Sequence, residues 1–178
     1  MKNPGSARPK EKVDDGIREV IMSNFSIEKS HSVDWYEFSS DSTMRQVEKL
    51  FNGWYTNDLK PLTGVIQIFN LFNVKEQNIK KAKQVALNSK STFLYPKESD
   101  ILQQVKNRPM FLAWGYEYLN VNESLAKAIF DYVKNSDYNY LKADMIDNHF
   151  YHPGYINIGY GREAVKSTIL AFLKYYTD

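Results

Sequence analysis

The stretch GVIQIFNLF, residues 64–72, decides which fold the sequence predicts. It is a continuous apolar run after a proline-containing turn, which is typical of a central strand buried on both faces. The runs REVIMSN (18–24) and RPMFLAWG (108–115) have the same character, and YNYLKA (138–143) is predicted as a short fourth strand. These four segments define the sheet that the sequence predicts.

Segments with helical spacing of apolar residues alternate with the predicted strands. The predicted helices are 40–54, 76–90, 99–107, 122–136 and 162–176. Strands that alternate with helices favour a parallel sheet covered on both faces. We therefore predict an α/β fold: a three-layer α/β/α sandwich with a central four-stranded, mostly parallel sheet. Residues 1–12 are predicted as a flexible basic tail and residues 13–178 as a single domain.

Composition narrows the classes of function. The formal net charge of +2 is compatible with nucleic-acid binding, and aromatic residues make up 15% of the chain. The absence of cysteine excludes disulfides, thiolate nucleophiles and zinc ribbons. Three histidines argue against a histidine-rich metal site, so neither a metal nor a cofactor is predicted.

Several sequence patterns are absent. The chain has no GxGxxG or GxxxxGK[ST] phosphate loop, no GxSxG elbow and no HExxH motif. This argues against common nucleotidases, dehydrogenases, serine hydrolases and zinc proteases. No apolar run is long enough to span a bilayer and no signal-peptide core follows Met1, so we expect a cytoplasmic protein without a membrane partner.

Candidate site residues follow the predicted strands, because ligands of open α/β sheets bind beyond the carboxyl ends of the strands. The side-chain amides of Asn24 and Asn70 suit the edge of a nucleobase. His152, in the loop NHFYHPGY (148–155), can donate to a carbonyl oxygen or stabilise a developing anion. Asn24 and His152 are the candidate catalytic pair. The candidate base- or ligand-binding residues are Phe25, Ser26, Asn70, Phe72, Trp114, Pro153 and Tyr155.

Each of these residues also has a purely structural interpretation. An asparagine at a strand end often binds turn backbone, and a lone histidine among aromatics is often a surface or capping residue. Trp114 suits a core position. A second candidate element comprises Asp41, Thr43 and Arg45, for which the alternative is a helix cap followed by a solvated arginine. Convergence at one end of the predicted sheet is what favours a site.

In order along the chain, VIQIFN, MFLAWG, YLKA and HPGYI resemble segments of the uracil-DNA glycosylases. The chain is more similar to a bacterial and mobile-element family, domain-of-unknown-function family 1643, which is a distant relative of those glycosylases. The resemblance spans roughly residues 17 to 175. Its counterparts here are Asn24-Phe25-Ser26, Ser40-Asp41-Ser42-Thr43 with Arg45, Asn70-Leu71-Phe72, Trp114-Gly115 and His152-Pro153.

This resemblance implies a nucleic-acid or nucleobase-binding protein on a uracil-DNA glycosylase-like scaffold, in a DNA-repair setting. Base excision would use Asn24 to hold the attacking water and His152 to stabilise the leaving base. However, SNFSIE replaces the Gly-Gln-Asp-Pro-Tyr motif that carries the water-activating aspartate. An amide cannot replace a carboxylate as general base, which argues against excision. The alternative is a catalytically inactive interaction domain that binds a protein partner or a free nucleotide in a mobile-element or defence setting.

Overall fold

The computed structural model describes residues 9–25, 34–76, 78–114, 121–141, 153, 156 and 162–176. Within these ranges the chain forms six α-helices and one two-stranded antiparallel sheet. The elements are β1 (Pro9–Lys12), α1 (Asp15–Asn24), β2 (Tyr36–Phe38), α2 (Ser42–Phe51), α3 (Ile79–Asn88), α4 (Glu98–Val105), α5 (Glu123–Lys134) and α6 (Glu163–Leu173). The predicted three-layer α/β/α fold with a central four-stranded, mostly parallel sheet of the uracil-DNA glycosylase type is therefore wrong.

The first predicted strand, 18–24, lies in helix α1. The carboxylate of Asp14 accepts hydrogen bonds from the backbone N–H groups of Gly16 at 2.8 Å and Ile17 at 3.3 Å. A side chain that satisfies the first N–H groups of a helix stabilises its start. This local capping signal outweighs the strand preference of the short apolar run that follows it.

The second predicted strand, 64–72, forms no strand in the structure. Leu71 and Phe72 are buried in the core, whereas most of 61–67 is exposed to solvent. Among the described residues, no backbone hydrogen bond joins this segment to 108–114. A continuous apolar run indicates burial, but its periodicity does not establish a strand partner.

In the described parts of the third and fourth predicted strands, side-chain oxygens accept hydrogen bonds from backbone N–H groups. The Tyr140 hydroxyl accepts a hydrogen bond from the Leu112 N–H at 2.8 Å. The Asn139 side-chain oxygen accepts from the Leu141 N–H at 2.9 Å, which closes a local turn. Such side-chain bonds compete with a backbone ladder for the same donors, so neither segment forms a strand.

The five predicted helices coincide with α2 to α6 and are confirmed. Asp41 is the N-cap of α2, because its side chain accepts from the Met44 N–H at 2.9 Å. By contrast, α4 begins at Glu98, one residue before the predicted start at 99, and no side chain of the described residues caps it. Apolar spacing and capping depend on neighbouring residues, so the helix predictions are right although the predicted fold class is wrong.

The small sheet lies near the amino terminus. Strand β1 falls within the predicted basic tail and pairs with β2, with Pro9 opposite Phe38. The Val13 N–H donates to the Trp35 carbonyl oxygen at 3.0 Å just beyond the paired residues. All residues of both strands are exposed, so this sheet contributes no core layer.

The core lies between the five helices α2 to α6 and includes the irregular segments that follow 70 and 111. Phe172 of α6 is at its centre, with ring centroids 5.7 Å from Phe51, 5.0 Å from Phe111 and 5.4 Å from Tyr140. Edge-on and tilted aromatic packing of this kind adds to the stabilisation from burial. In the described part of the chain, no helix has both the length and the apolar character that crossing a bilayer requires.

Candidate ligand-binding pocket

An apolar pocket of about 440 Å³ opens between the two segments that the sequence predicts as central strands. Residues 62–71 form one wall and residues 108–114 form the other. Its inner end is closed by the buried side chains of Leu50, Ile101 and Ile129 from three helices. The volume lies within the range of roughly 300–1,000 Å³ that is usual for small-molecule sites.

A polar bridge joins one wall of the pocket to helix α4. The Gln67 side-chain amide donates to the Gln104 side-chain oxygen, and both residues line the pocket. Gln67 is exposed, as are Leu62 and Val65, so this part of the wall forms the outer rim. The bridge holds the irregular wall segment against the helix without filling the cavity.

Asn70 presents an unsatisfied polar atom in this apolar pocket. Its side-chain oxygen is buried and has no hydrogen-bond partner. The adjacent backbone is held in place, because the Asn122 side-chain amide donates to the Leu71 carbonyl oxygen at 3.1 Å. A buried carbonyl without a donor is destabilising by about 1–3 kcal/mol, so such atoms are rare in folded proteins. The side-chain oxygen of Asn70 is therefore the acceptor that a ligand N–H could satisfy.

Arg108 and Phe25 form the charged edge of the pocket. The Arg108 guanidinium lies 5.0 Å from the centroid of the Phe25 ring and donates to the Asn24 carbonyl oxygen at 3.1 Å. Arg108 is exposed, and it is the one charged side chain among the described residues that line the pocket. The electrostatic potential of this edge therefore favours an anionic group.

The pocket brings together several residues that the sequence analysis proposed for ligand binding. The predicted contacts that line it are Phe25, Asn70, Trp114 and Pro153. Phe72 is fully buried and does not line the pocket, so its ring contributes to the core. These residues were grouped because a parallel sheet was expected to bring them to one end, but the described residues form no parallel sheet; the walls of the pocket group them instead.

The candidate catalytic pair is only partly described. Asn24 is exposed at the end of α1, and its backbone oxygen, not its side chain, contacts the pocket edge through Arg108. His152 lies outside the described residues, as do the predicted ligand contacts Ser26 and Tyr155. The roles assigned to these three residues remain predictions.

The second candidate element lies at the start of α2. Asp41 caps this helix, Thr43 is partly buried and Arg45 is exposed. None of the three lines the pocket. Helix α2 contributes Val47, Leu50 and Phe51 to the pocket lining instead. The geometry thus places a helix cap and an exposed arginine here, outside the pocket wall.

Sequence reasoning missed the residues at the polar edge: Gln67, Gln104 and Arg108. Arg108 stands at the beginning of a predicted strand, which would place it at the edge of the sheet opposite to the expected site. No local signal pointed to it: Arg108 follows α4 through Asn107, which adopts a left-handed conformation with φ of 60°, and its contacts with Phe25 and Asn24 come from more than eighty residues away.

One wall of the pocket depends on a buried tyrosine. Burial raises the pKa of Tyr140, and its neutral hydroxyl accepts the hydrogen bond from the backbone of Leu112.

The described residues contain no group of three or more histidine, aspartate or glutamate side chains arranged to hold a metal ion. The described pocket therefore offers a buried acceptor without a partner at Asn70, a cation at Arg108, further polar side chains at its rim, and apolar walls.

Comparisons with protein-family models, with curated proteins and with solved structures find no match to this chain. The resemblance to domain-of-unknown-function family 1643 therefore stays a sequence-based prediction. Functional inference depends on the pocket itself.

Proposed function

We propose that this protein binds a nucleobase or nucleoside in the pocket between residues 62–71 and 108–114. The observation that carries the proposal is the buried side-chain oxygen of Asn70, which has no hydrogen-bond partner at the edge of an apolar cavity. A ligand that enters with an N–H group facing this oxygen forms the missing hydrogen bond and removes a cost that the empty protein bears.

Nucleobases combine the two properties that the pocket requires. Their flat faces are suited to apolar and aromatic walls, here supplied by Phe69, Phe111 and Trp114. Their edges carry N–H donors, such as the ring imide of uracil and thymine or the amino group of cytosine and adenine. A purely hydrocarbon ligand would fill the cavity but would leave the Asn70 oxygen without a donor.

Base excision is a separate step that the proposal does not require. It would need a group that activates water, and the described lining of the pocket contains no carboxylate and no histidine. The assignment of Asn24 and His152 to excision is therefore kept as a hypothesis for direct assay, whereas base recognition is supported by the geometry of Asn70.

The test is a titration of the full chain, by isothermal calorimetry, with each of the common nucleosides and with a methylated counterpart. Uridine and 3-methyluridine differ only in the imide N–H, and adenosine and N6,N6-dimethyladenosine differ only in the amino N–H groups. We expect methylation of the recognised base to weaken binding about tenfold or more, because it removes the donor to Asn70.

Two matched variants accompany the titration. Asn70→Leu removes the acceptor and should abolish the difference between a nucleoside and its methylated form. Asn73→Leu makes the same substitution three residues later, at an exposed position that does not line the pocket, and should leave the difference unchanged. If no nucleoside binds, or if Asn70→Leu binds as the wild type does, the proposal is wrong. Labelled single- and double-stranded oligonucleotides that contain uracil, assayed in parallel, test excision separately.

A further inference from the structure

We propose that Arg108 forms a phosphate subsite, so that the ligand of the pocket is a nucleoside monophosphate and not the bare base. This inference rests on the proposed function, since it assigns the polar end of a ligand whose base is recognised at Asn70. It arises from a different set of observations, namely the anchoring, pairing and charge of the Arg108 guanidinium.

The backbone that carries Arg108 is anchored from two sides. The Arg108 N–H donates to the Val105 carbonyl oxygen at 3.0 Å, which closes the end of α4. The Tyr138 hydroxyl donates to the Asn107 carbonyl oxygen at 3.2 Å, next to the left-handed turn. Arg108 is thus an exposed side chain on a backbone that hydrogen bonds hold on both sides.

The Arg108 side chain is oriented but not neutralised. Phe25 supports the guanidinium from one face, and the Asn24 carbonyl oxygen takes a hydrogen bond from one terminal nitrogen. The ion pairs among the described residues join other side chains, Lys12 with Asp34 and Lys60 with Asp58. The remaining guanidinium N–H groups therefore have no carboxylate partner in the described part of the chain.

These properties match what a phosphate group requires. A guanidinium presents parallel N–H donors that bind two phosphate oxygens at once. The described lining of the pocket contains no acidic residue, so no fixed negative charge there opposes the binding of an anionic group. A nucleoside monophosphate carries a base and a phosphate in one molecule, and the lining of the pocket contains both the Asn70 acceptor and the Arg108 cation.

The experiment compares each common ribonucleoside with its 5′-monophosphate, using calorimetry on the full chain at low ionic strength. We expect the monophosphate of the recognised base to bind about ten- to a hundredfold more tightly than the nucleoside. This preference should decrease as salt is added, since Arg108 is exposed. A single-stranded tetranucleotide, titrated in the same way, distinguishes a free nucleotide from a phosphate within a strand: tighter binding of the tetranucleotide would overturn the assignment to a mononucleotide.

Three variants isolate the role of the guanidinium. Arg108→Gln should bind the monophosphate no more tightly than the nucleoside, and Arg108→Lys should retain only part of the preference because it cannot bind two oxygens in the same way. Lys106→Gln removes an equal charge two residues earlier, at an exposed position outside the pocket lining, and should keep the full preference.

The outcomes separate this inference from the proposed function. If the wild type binds a nucleoside and its monophosphate equally, the phosphate subsite is refuted while base recognition stands. The same conclusion follows if Arg108→Gln keeps the preference, or if Lys106→Gln loses it to the same extent. If neither the nucleosides nor the monophosphates bind, both proposals are overturned, and this result does not depend on the folding of any variant.

Discussion

Replacing Asn70 with leucine is expected to stabilise the empty protein while it weakens binding of the recognised nucleoside. Leucine has the same branched shape as asparagine but no polar atoms. The substitution therefore removes a buried carbonyl that has no hydrogen-bond partner in the empty pocket. Such a group destabilises the folded state by about 1–3 kcal/mol, and its removal should raise the free energy of unfolding by a similar amount.

The expected change is large enough to measure by thermal unfolding. In a chain of 178 residues, 1 kcal/mol corresponds to a shift in Tm of about 2–4 °C, so Asn70→Leu should unfold about 2–12 °C above the wild type. Addition of the recognised nucleoside should then narrow this difference. At a hundred times the wild-type Kd, the ligand stabilises the wild type by about 2.7 kcal/mol, but it stabilises a variant that binds about tenfold more weakly by only about 1.4 kcal/mol.

The control for this prediction is Asn73→Leu, whose side chain is exposed and should change the stability by no more than about 0.5 kcal/mol. A Tm of Asn70→Leu below that of the wild type would refute the reasoning, because it would mean that the Asn70 side chain stabilises the empty protein. An equal response of both proteins to the nucleoside would refute the link between the unsatisfied oxygen and binding.

Three further predictions concern the scaffold. Asp41→Ala should lower the free energy of unfolding by about 1 kcal/mol in urea denaturation, whereas Asp41→Asn, which can still cap α2, should not. Gly53→Ala should destabilise the protein by more than an ordinary surface substitution, because Gly53 has φ of 81° and an added Cβ would clash with the backbone of Asp58; a Tm equal to that of the wild type would contradict this. Tyr140→Phe should cost about 1–3 kcal/mol at neutral pH, since the buried N–H of Leu112 loses its acceptor. Burial raises the pKa of Tyr140 above the ordinary value of 10.0, so its ionisation favours the unfolded chain: this source of stability is complete below pH 10 and is lost as the pH rises further. Urea midpoints between pH 8 and pH 11 should therefore fall more steeply for the wild type than for Tyr140→Phe, and parallel slopes would contradict the burial argument.

The parts of the structure that depend on neighbours along the chain could be predicted from the amino-acid sequence. The positions of α2 to α6 follow from apolar spacing within each segment, and the cap of α2 follows from Asp41. It also identified 64–72 and 108–115 as apolar segments that bury side chains, which they do at Leu71 and Leu112. These features are set by local periodicity and by contact with water, so they do not depend on which distant segments meet.

The partners of the apolar segments, by contrast, depend on long-range contacts and could not be read from the sequence. A strand requires a second backbone at hydrogen-bond distance, and the N–H of Leu112 is taken instead by the hydroxyl of Tyr140, 28 residues further along the chain. The sequence selected Asn70 as a ligand contact because of its position after a supposed strand, whereas the structure supports it through a buried oxygen without a donor. The sequence did not point to Arg108. Its place at the pocket edge results from contacts with Asn24 and Phe25, which are more than eighty residues away along the chain and which no local pattern encodes.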